Sequence, residues 1–302
     1  MNRGLADMRI AAAGIVAVLA YAALILAPDA RSADSKIAVV AAENFYGDIA
    51  QQIGGDRVAV VSIMNNPDQD PHLFETTPGI VRQIAGAQLA IVNGADYDPW
   101  MEKLLAAAPR PNRKVIIAAD LMHKKSGNNP HLWYDPATMP AVAKAIAAAL
   151  RAADATHGKD YAARLAAFLG SLKPLDGKIA AIRGKYAGVS VTASEPVFGY
   201  MAQALGLKMR NESFQLSIMN DTEPSARDVA SFEQDLKDQK VRAMFYNKQA
   251  SNKIVQHLVD LARTAKIPVV GVTETAPPDI SYQDWMLGEL GDAEKALAGP
   301  SS

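Results

Sequence analysis

Short apolar runs alternate with amphipathic segments along most of this chain. Residues 36–42, 57–64, 89–93 and 114–119 are apolar runs of strand length. Between and after them, 45–53, 79–87, 100–108 and 139–153 carry apolar residues at helical spacing, and Gly54-Gly55 marks the end of the first of these helices. The alternation restarts later, with strands predicted at 188–193, 241–246 and 267–272. The later helices are predicted at 197–205, 225–237, 252–265 and 283–297. Ser225 with Asp228 three residues on is a helix-start signal. Strands alternating with helices predict parallel sheets covered by helices.

The middle of the chain breaks this rhythm. Tyr161, Leu165, Phe168, Leu172, Leu175, Ile179 and Ile182 recur at alternating four- and three-residue steps. That is one apolar stripe on one helix over 158–184, about 27 residues and roughly 40 Å long at the usual rise. Pro174 should kink it, because the ring presses on the carbonyl of Gly170. The stripe keeps its phase across the proline, which favours one kinked helix over two. The fold class expected is α/β: two lobes with parallel sheets, 34–157 and 188–302, joined by one long helix, 158–187.

The beginning of the chain has another character. Arg3 and Arg9 precede an apolar run, 10–27, and small residues follow at Ala30, Ser32 and Ala33. This reads as a signal peptide, residues 1–33, cleaved near Ala33. An uncleaved anchor is the competing reading, since the run is close to the length that spans a bilayer. The expected location is periplasmic, soluble after cleavage. A chain of 302 residues with 49% hydrophobic and 21% charged positions has the composition of an ordinary globular protein and the length for two domains. A net charge of −1 leaves no footprint for nucleic acid. There is no cysteine, which excludes disulfides, thiolate ligands, a cysteine nucleophile and lipidation of an N-terminal cysteine.

The candidate chemistry lies just beyond strand ends, where ligands bind in open α/β sheets. Two loops echo each other. NNPDQDPHLFETTP (65–78) holds His72 and NNPHLWYDP (128–136) holds His131; each histidine follows a proline and precedes a leucine and an aromatic residue. X-Pro steps fix the backbone direction on either side of these imidazoles. In the second half, Glu195 follows the 188–193 strand and Glu274 follows the 267–272 strand. A cleft between the lobes would gather two imidazoles and two carboxylates, a set suited to zinc, manganese or iron and not to copper(I). His123, His157 and His257 read as surface or structural residues. Asp70 and Asp135 read either as partners orienting the imidazoles or as turn caps.

With these motifs in view, the chain resembles the periplasmic metal-binding proteins of ABC-type zinc and manganese importers, the solute-binding class with a long linking helix. The resemblance rests on DPHLFETTP (70–78), NPHLWYDP (129–136), SEPVFGYMAQALG (194–206) and TEPSARDV (222–229). It implies one divalent cation, zinc or manganese, held as transported ligand in the cleft between the lobes, and an ABC-type permease in the inner membrane as partner. It makes His72 and His131 ligands and puts Glu195 at a position that holds histidine in many zinc members and glutamate in many manganese members. Two features depart from the family pattern. TETAPPD (273–279) replaces the Asp-Ser that often carries the fourth ligand, and the 121–129 loop lacks the histidine-rich insertion of many zinc members. Glu274 is the expected fourth ligand, with Asp279 or water as alternatives. The expected protein is a monomeric binding protein, not an enzyme. The readings weighed against it are an exported metallohydrolase with a His-His-carboxylate site and a metal-stabilised adhesion protein.

Overall fold

Among the described residues, eight strands form two separate four-stranded sheets, and every pairing within them is parallel. The structure, a computed structural model, describes residues 36–67, 74, 76–249 and 252–299. The signal-peptide segment, His72 and Asp70 lie outside the described residues. Among the described residues no helix is long and apolar enough to cross a membrane.

The first sheet contains β1 (Ile37–Glu43), β2 (Val58–Met64), β3 (Leu89–Val92) and β4 (Lys114–Ile117) in the order β2-β1-β3-β4. The second contains β5 (Ser190–Ala193), β6 (Lys208–Arg210), β7 (Met244–Asn247) and β8 (Val269–Val272) in the order β6-β5-β7-β8. The two sheets therefore share one winding order, a structural repeat with no counterpart in the sequence. In each, the chain reverses direction across the sheet beside the first strand, which opens a crevice at the strands' carboxyl ends.

The helices of the first half are α1 (Asn44–Gly54), α2 (Pro78–Gly86), α3 (Pro99–Ala107), α4 (Ala118–Leu121) and α5 (Thr138–Ala153). Those of the second half are α8 (Gly199–Ala204), α9 (Glu212–Met219), α10 (Ala226–Lys237), α11 (Lys253–Thr264) and α12 (Tyr282–Ala298). Ser225 begins α10 as expected, its Oγ accepting from Asp228 N at 3.1 Å. β6, α9 and the short α4 escaped the sequence reading; the strand expected over 114–119 ends at Ile117, and Ala118 starts α4. β6 is three residues long at a sheet edge and carries no apolar run, so it lacks the signal of a buried strand.

The connecting helix runs as α6 (Gly158–Ser171) and α7 (Lys173–Tyr186). Leu172 between them stays right-handed helical, with φ −80° and ψ −14°. The helical path thus continues, but its hydrogen-bond ladder is interrupted. Pro174 has no N–H to give the Gly170 carbonyl, and the ladder resumes where Asp176 N donates to Leu172 O at 3.0 Å. α6 lies against α1 and α5, and α7 lies against α12.

One apolar core reaches both halves. Phe45 of α1, Trp133 and Tyr134 of the 128–136 loop, Phe198, Phe245 and Trp285 of α12 are all buried within it. Phe45 meets Trp133 with centroids 4.8 Å apart and Trp285 at 5.8 Å; Phe198 stacks on Phe245 at 4.3 Å. Rings of this size dominate core energetics by the area they remove from water. The cluster therefore anchors the His131 loop to both sheets.

Candidate metal centre

His131 sits where the chain leaves α4 and crosses the carboxyl end of the first sheet. Its loop is built by short-range bonds. Asn129 Oδ1 accepts from His131 N at 3.1 Å and meets His131 Nδ1 at 2.6 Å. Asn129 Nδ2 donates to Pro196 O at 2.7 Å, so the amide's orientation is fixed by both ends. Its oxygen can only accept, so Nδ1 of His131 carries the proton and Nε2 presents its lone pair. That Nε2 is fully buried and has no hydrogen-bond partner among the described residues.

Glu195 follows β5 in extended conformation, φ −145° and ψ 161°, and Pro196 then starts a short 3-10 turn. A residue before proline is held extended, which points Glu195 out of the strand end before the helix begins. Glu274 follows β8 and is held by its backbone: its N–H donates to Gln249 Oε1 at 2.5 Å. Three further bonds tie this loop to the first half. Asn44 pairs with Ala276 through both amide groups, at 2.7 and 3.1 Å, and Tyr134 Oη donates to Thr273 O at 2.9 Å.

Two of the described candidates face each other directly, and Glu195 is tied to them through Asn247. Among the described residues no three His, Asp or Glu side chains form a group that could hold a metal ion. Oε2 of Glu274 lies 3.6 Å from Nε2 of His131. Asn247, at the end of β7, donates to Oε2 of Glu195 at 3.2 Å and to Oε1 of Glu274 at 2.5 Å. His131, Glu195, Glu274 and Asn247 are each no more than 3% exposed. Two ligand atoms about 2.1 Å from one tetrahedral metal stand roughly 3.4 Å apart, so the His131–Glu274 separation fits a shared cation. Asp279 is exposed, on a positive-φ residue beyond Pro277-Pro278.

The surroundings are buried and aromatic. Tyr97 and Trp133 approach the His131 ring edge-on, at 6.1 and 5.3 Å. Burial, followed by the Glu274 charge, pushes the Tyr97 hydroxyl well above the usual phenol range. Tyr97 is delivered by a tight turn in which Gly94, Ala95 and Asp96 have φ of 76°, 54° and 65°. Gly94 admits nothing larger, because a Cβ there would meet Ile117 Cγ2 at 2.7 Å.

Behind Tyr97 lies a second acidic pair. Glu43, the last residue of β1, is fully buried and meets no donor among the described residues. Its neighbour is Asp98, which accepts from Asn93 N and Gly94 N, both at 2.8 Å. Burial, then the Asp98 charge, pushes the Glu43 carboxyl well above the usual range; burial pushes Asp98 up to about 6. The two can hydrogen-bond each other only when one is protonated.

The remaining histidines lie apart from these groups. His157 pairs with Asp154 at 2.7 Å, His257 with Glu233 at 3.0 Å, and His123 occupies a positive-φ turn. Asp135 caps a turn by accepting from Ala137 N at 3.0 Å, and Asn129 takes the imidazole-orienting part. The sequence reading missed Asn129, Asn247, Tyr97 and Glu43. Only Asn129, two residues before His131 in a loop already singled out, left a local signal.

The chain is similar to known proteins along most of its length. Residues 39–295 match the family model described as zinc-uptake complex component A, periplasmic. The manganese-binding lipoprotein MntA of Bacillus subtilis is 26% identical over 89% of this chain and 87% of its own length. The iron ABC transporter substrate-binding lipoprotein MtsA of Streptococcus pyogenes is 23% identical, covering 87% and 89%. Among solved structures, the periplasmic zinc binding protein TroA from Treponema pallidum superposes with a TM-score of 0.74. It is 20% identical and is matched over 87% of this chain and 99% of its own, so that likeness carries the fold.

Proposed function

This chain belongs to the family of periplasmic zinc-uptake component A proteins, and we propose that it captures one divalent transition-metal cation outside the cytoplasm and hands it to an ABC-type permease. Members of the family are solute-binding proteins and not enzymes. Neither the metallohydrolase nor the adhesion-protein alternative finds support among the relatives. The cation is the cargo, bound and released unchanged.

The observation that carries this reading is the lone pair of His131 Nε2 facing Glu274 Oε2 across 3.6 Å in a buried site. Two acceptors so placed repel unless a cation or proton lies between them, and burial away from water strengthens the attraction a cation would feel. We assign His131, Glu195 and Glu274 as ligands, with His72 as the fourth. The relatives carry manganese, iron and zinc in their names, and the donor set here suits zinc or manganese. The working form is a periplasmic monomer facing an inner-membrane permease. It has lobes 34–157 and 188–302 on either side of the 158–187 helix, with the cargo between them.

Elemental analysis of protein purified from its native compartment, with calorimetric titration of the metal-free form, tests the proposal. One zinc or manganese per chain is expected. A chain that holds no transition metal and gives no titration heat overturns it.

A further inference from the structure

We infer that the open edge of β8 is a docking groove for an acidic, extended peptide segment of a partner protein, which adds to the second sheet as a further strand. β8 is the last strand in the order β6-β5-β7-β8, so only one of its sides is paired. Its register sets Met244 of β7 against Val269 and Asn247 against Val272. Met244 N donates to Pro268 O at 2.9 Å and Lys248 N to Val272 O at 3.0 Å. Along a strand successive residues turn their N–H and C=O groups to opposite sides. Val270 and Val272 therefore turn theirs to β7, and Val269 and Gly271 turn theirs outward. Among the described residues no hydrogen bond reaches these outward groups.

Two helices wall this edge. Val270 and Val272 pack in the core that holds Trp285 and Leu290 of α12, and Val269 packs with Val255 and Val259 of α11. Between the helices lies a groove along Val269, Val270 and Gly271. Arg263 of α11 lines one wall, and Asp292 and Lys295 of α12 line the other. The groove continues past Lys266 to the start of β7, where Lys240 and Arg242 join the lining. Unpaired backbone along a sheet edge is a template for another strand.

Charge decides what kind of strand fits. Five cations and one acid line the two connected stretches, on a chain whose net charge is −1. Lys240, Arg263 and Lys295 each meet a nearby carboxylate, of Asp238, Asp260 and Asp292. Arg242 and Lys266 are exposed and meet none among the described residues. An acidic peptide in extended form answers both features: its backbone pairs with Val269 and Gly271, and its carboxylates reach the cations on the walls. An anionic membrane surface would meet the exposed cations and leave the backbone of the groove unpaired, so the open edge favours the peptide.

The test uses the purified protein and a synthetic probe, a fluorescent peptide of alternating glutamate and valine, with phosphatidylglycerol vesicles as a second arm. Anisotropy should show the peptide binding, and the affinity should fall as salt is raised. Replacing both free cations, Arg242→Gln with Lys266→Gln, should weaken binding about 3- to 10-fold, as expected for two exposed ion pairs. Circular dichroism checks the fold, and Arg242→Gln alone carries the readout if the double variant does not fold. Hydrogen exchange at the Val269 and Gly271 amides should slow in the complex. Unchanged exchange in the bound state would mean attachment by charge alone and overturn the inference. Equal peptide affinity in the variant would overturn it too. Vesicle binding without peptide binding would make this face a membrane contact, and no binding of either would leave the cations as guards of the edge; each result overturns the peptide groove.

Discussion

His131 and Glu274, 143 positions apart in sequence, stand with Nε2 and Oε2 3.6 Å from each other and both side chains fully buried. One leaves the first sheet and the other the second. Neither sheet alone could bring them together. Glu274→Gln should weaken metal binding at least about tenfold, since a ligand counts for no less than a residue that orients one. Asp279→Asn, at an exposed position, should leave it within about twofold. An equal or reversed ranking in metal titrations refutes Glu274 as the fourth ligand.

His72→Ala and His131→Ala should each cut affinity at least about tenfold with the fold intact. His131 lies on a loop beyond the first sheet, and His72 follows the 57–64 apolar run in sequence. Calorimetry gives the affinity and circular dichroism the fold. Unchanged affinity in either variant would remove that histidine from the ligand set.

Tyr134→Phe should destabilise the protein by about 1 kcal/mol, the usual net worth of one hydrogen bond. The hydroxyl donates at 2.9 Å to Thr273 O, immediately before Glu274, and the substitution takes this donor from a buried carbonyl. Urea unfolding measures the difference. A wild-type midpoint would mean that this tether between the histidine loop and the glutamate loop contributes nothing.

The Glu43–Asp98 pair gives stability a pH dependence of determined sign. Both carboxyls lie above their ordinary values when folded, so the folded state binds more protons than the unfolded one. Their contribution is fully present below the unfolded carboxyl value of about 4 and is lost as pH rises through the folded values, for Asp98 about 6. Glu43→Gln, uncharged at every pH, can donate to an ionised Asp98. Its stability relative to wild type should therefore improve between pH 4.5 and pH 7.5 in urea titrations. A difference that stays constant over that range would show that the pair does not titrate as argued.

The exported form should begin near Asp34. Arg3 and Arg9, the apolar run and the small residues up to Ala33 motivate this. Intact-mass measurement on protein from the native compartment decides it, and a mass that retains residues 1–33 would favour the anchor.

The strands that sequence predicted well are those written as runs of apolar residues, whether buried on both faces like β1 or partly exposed like β2 and β4. β1, IAVVAAE, is nearly continuous apolar sequence, as a central parallel strand must be. β6, KMR, is an edge strand and offered nothing to detect. The positions of Glu195 and Glu274 past strand ends were legible because a carboxylate just past a strand end is a local pattern. Asn247 was not: it reads as an ordinary polar residue, and its meaning comes from the order β5-β7-β8, which sets it between two glutamates. Glu43 was hidden for the same reason. A lone acid after an apolar run resembles a solvated strand end until Asp98, 55 residues later, is folded against it.

The connecting helix has a mechanical consequence at Leu172. It is a jointed strut of two rigid rods that meet where one hydrogen bond has been forfeited to Pro174. The first rod is seated on α1 and α5 and the second on α12, so each is loaded by different neighbours. Bending strain collects where a rod is weakest, and here that is the span from Gly170 to Pro174. A load that separates the two sheets would be relieved by rotation about this single joint, which spares the helical turns that support the ligand loops.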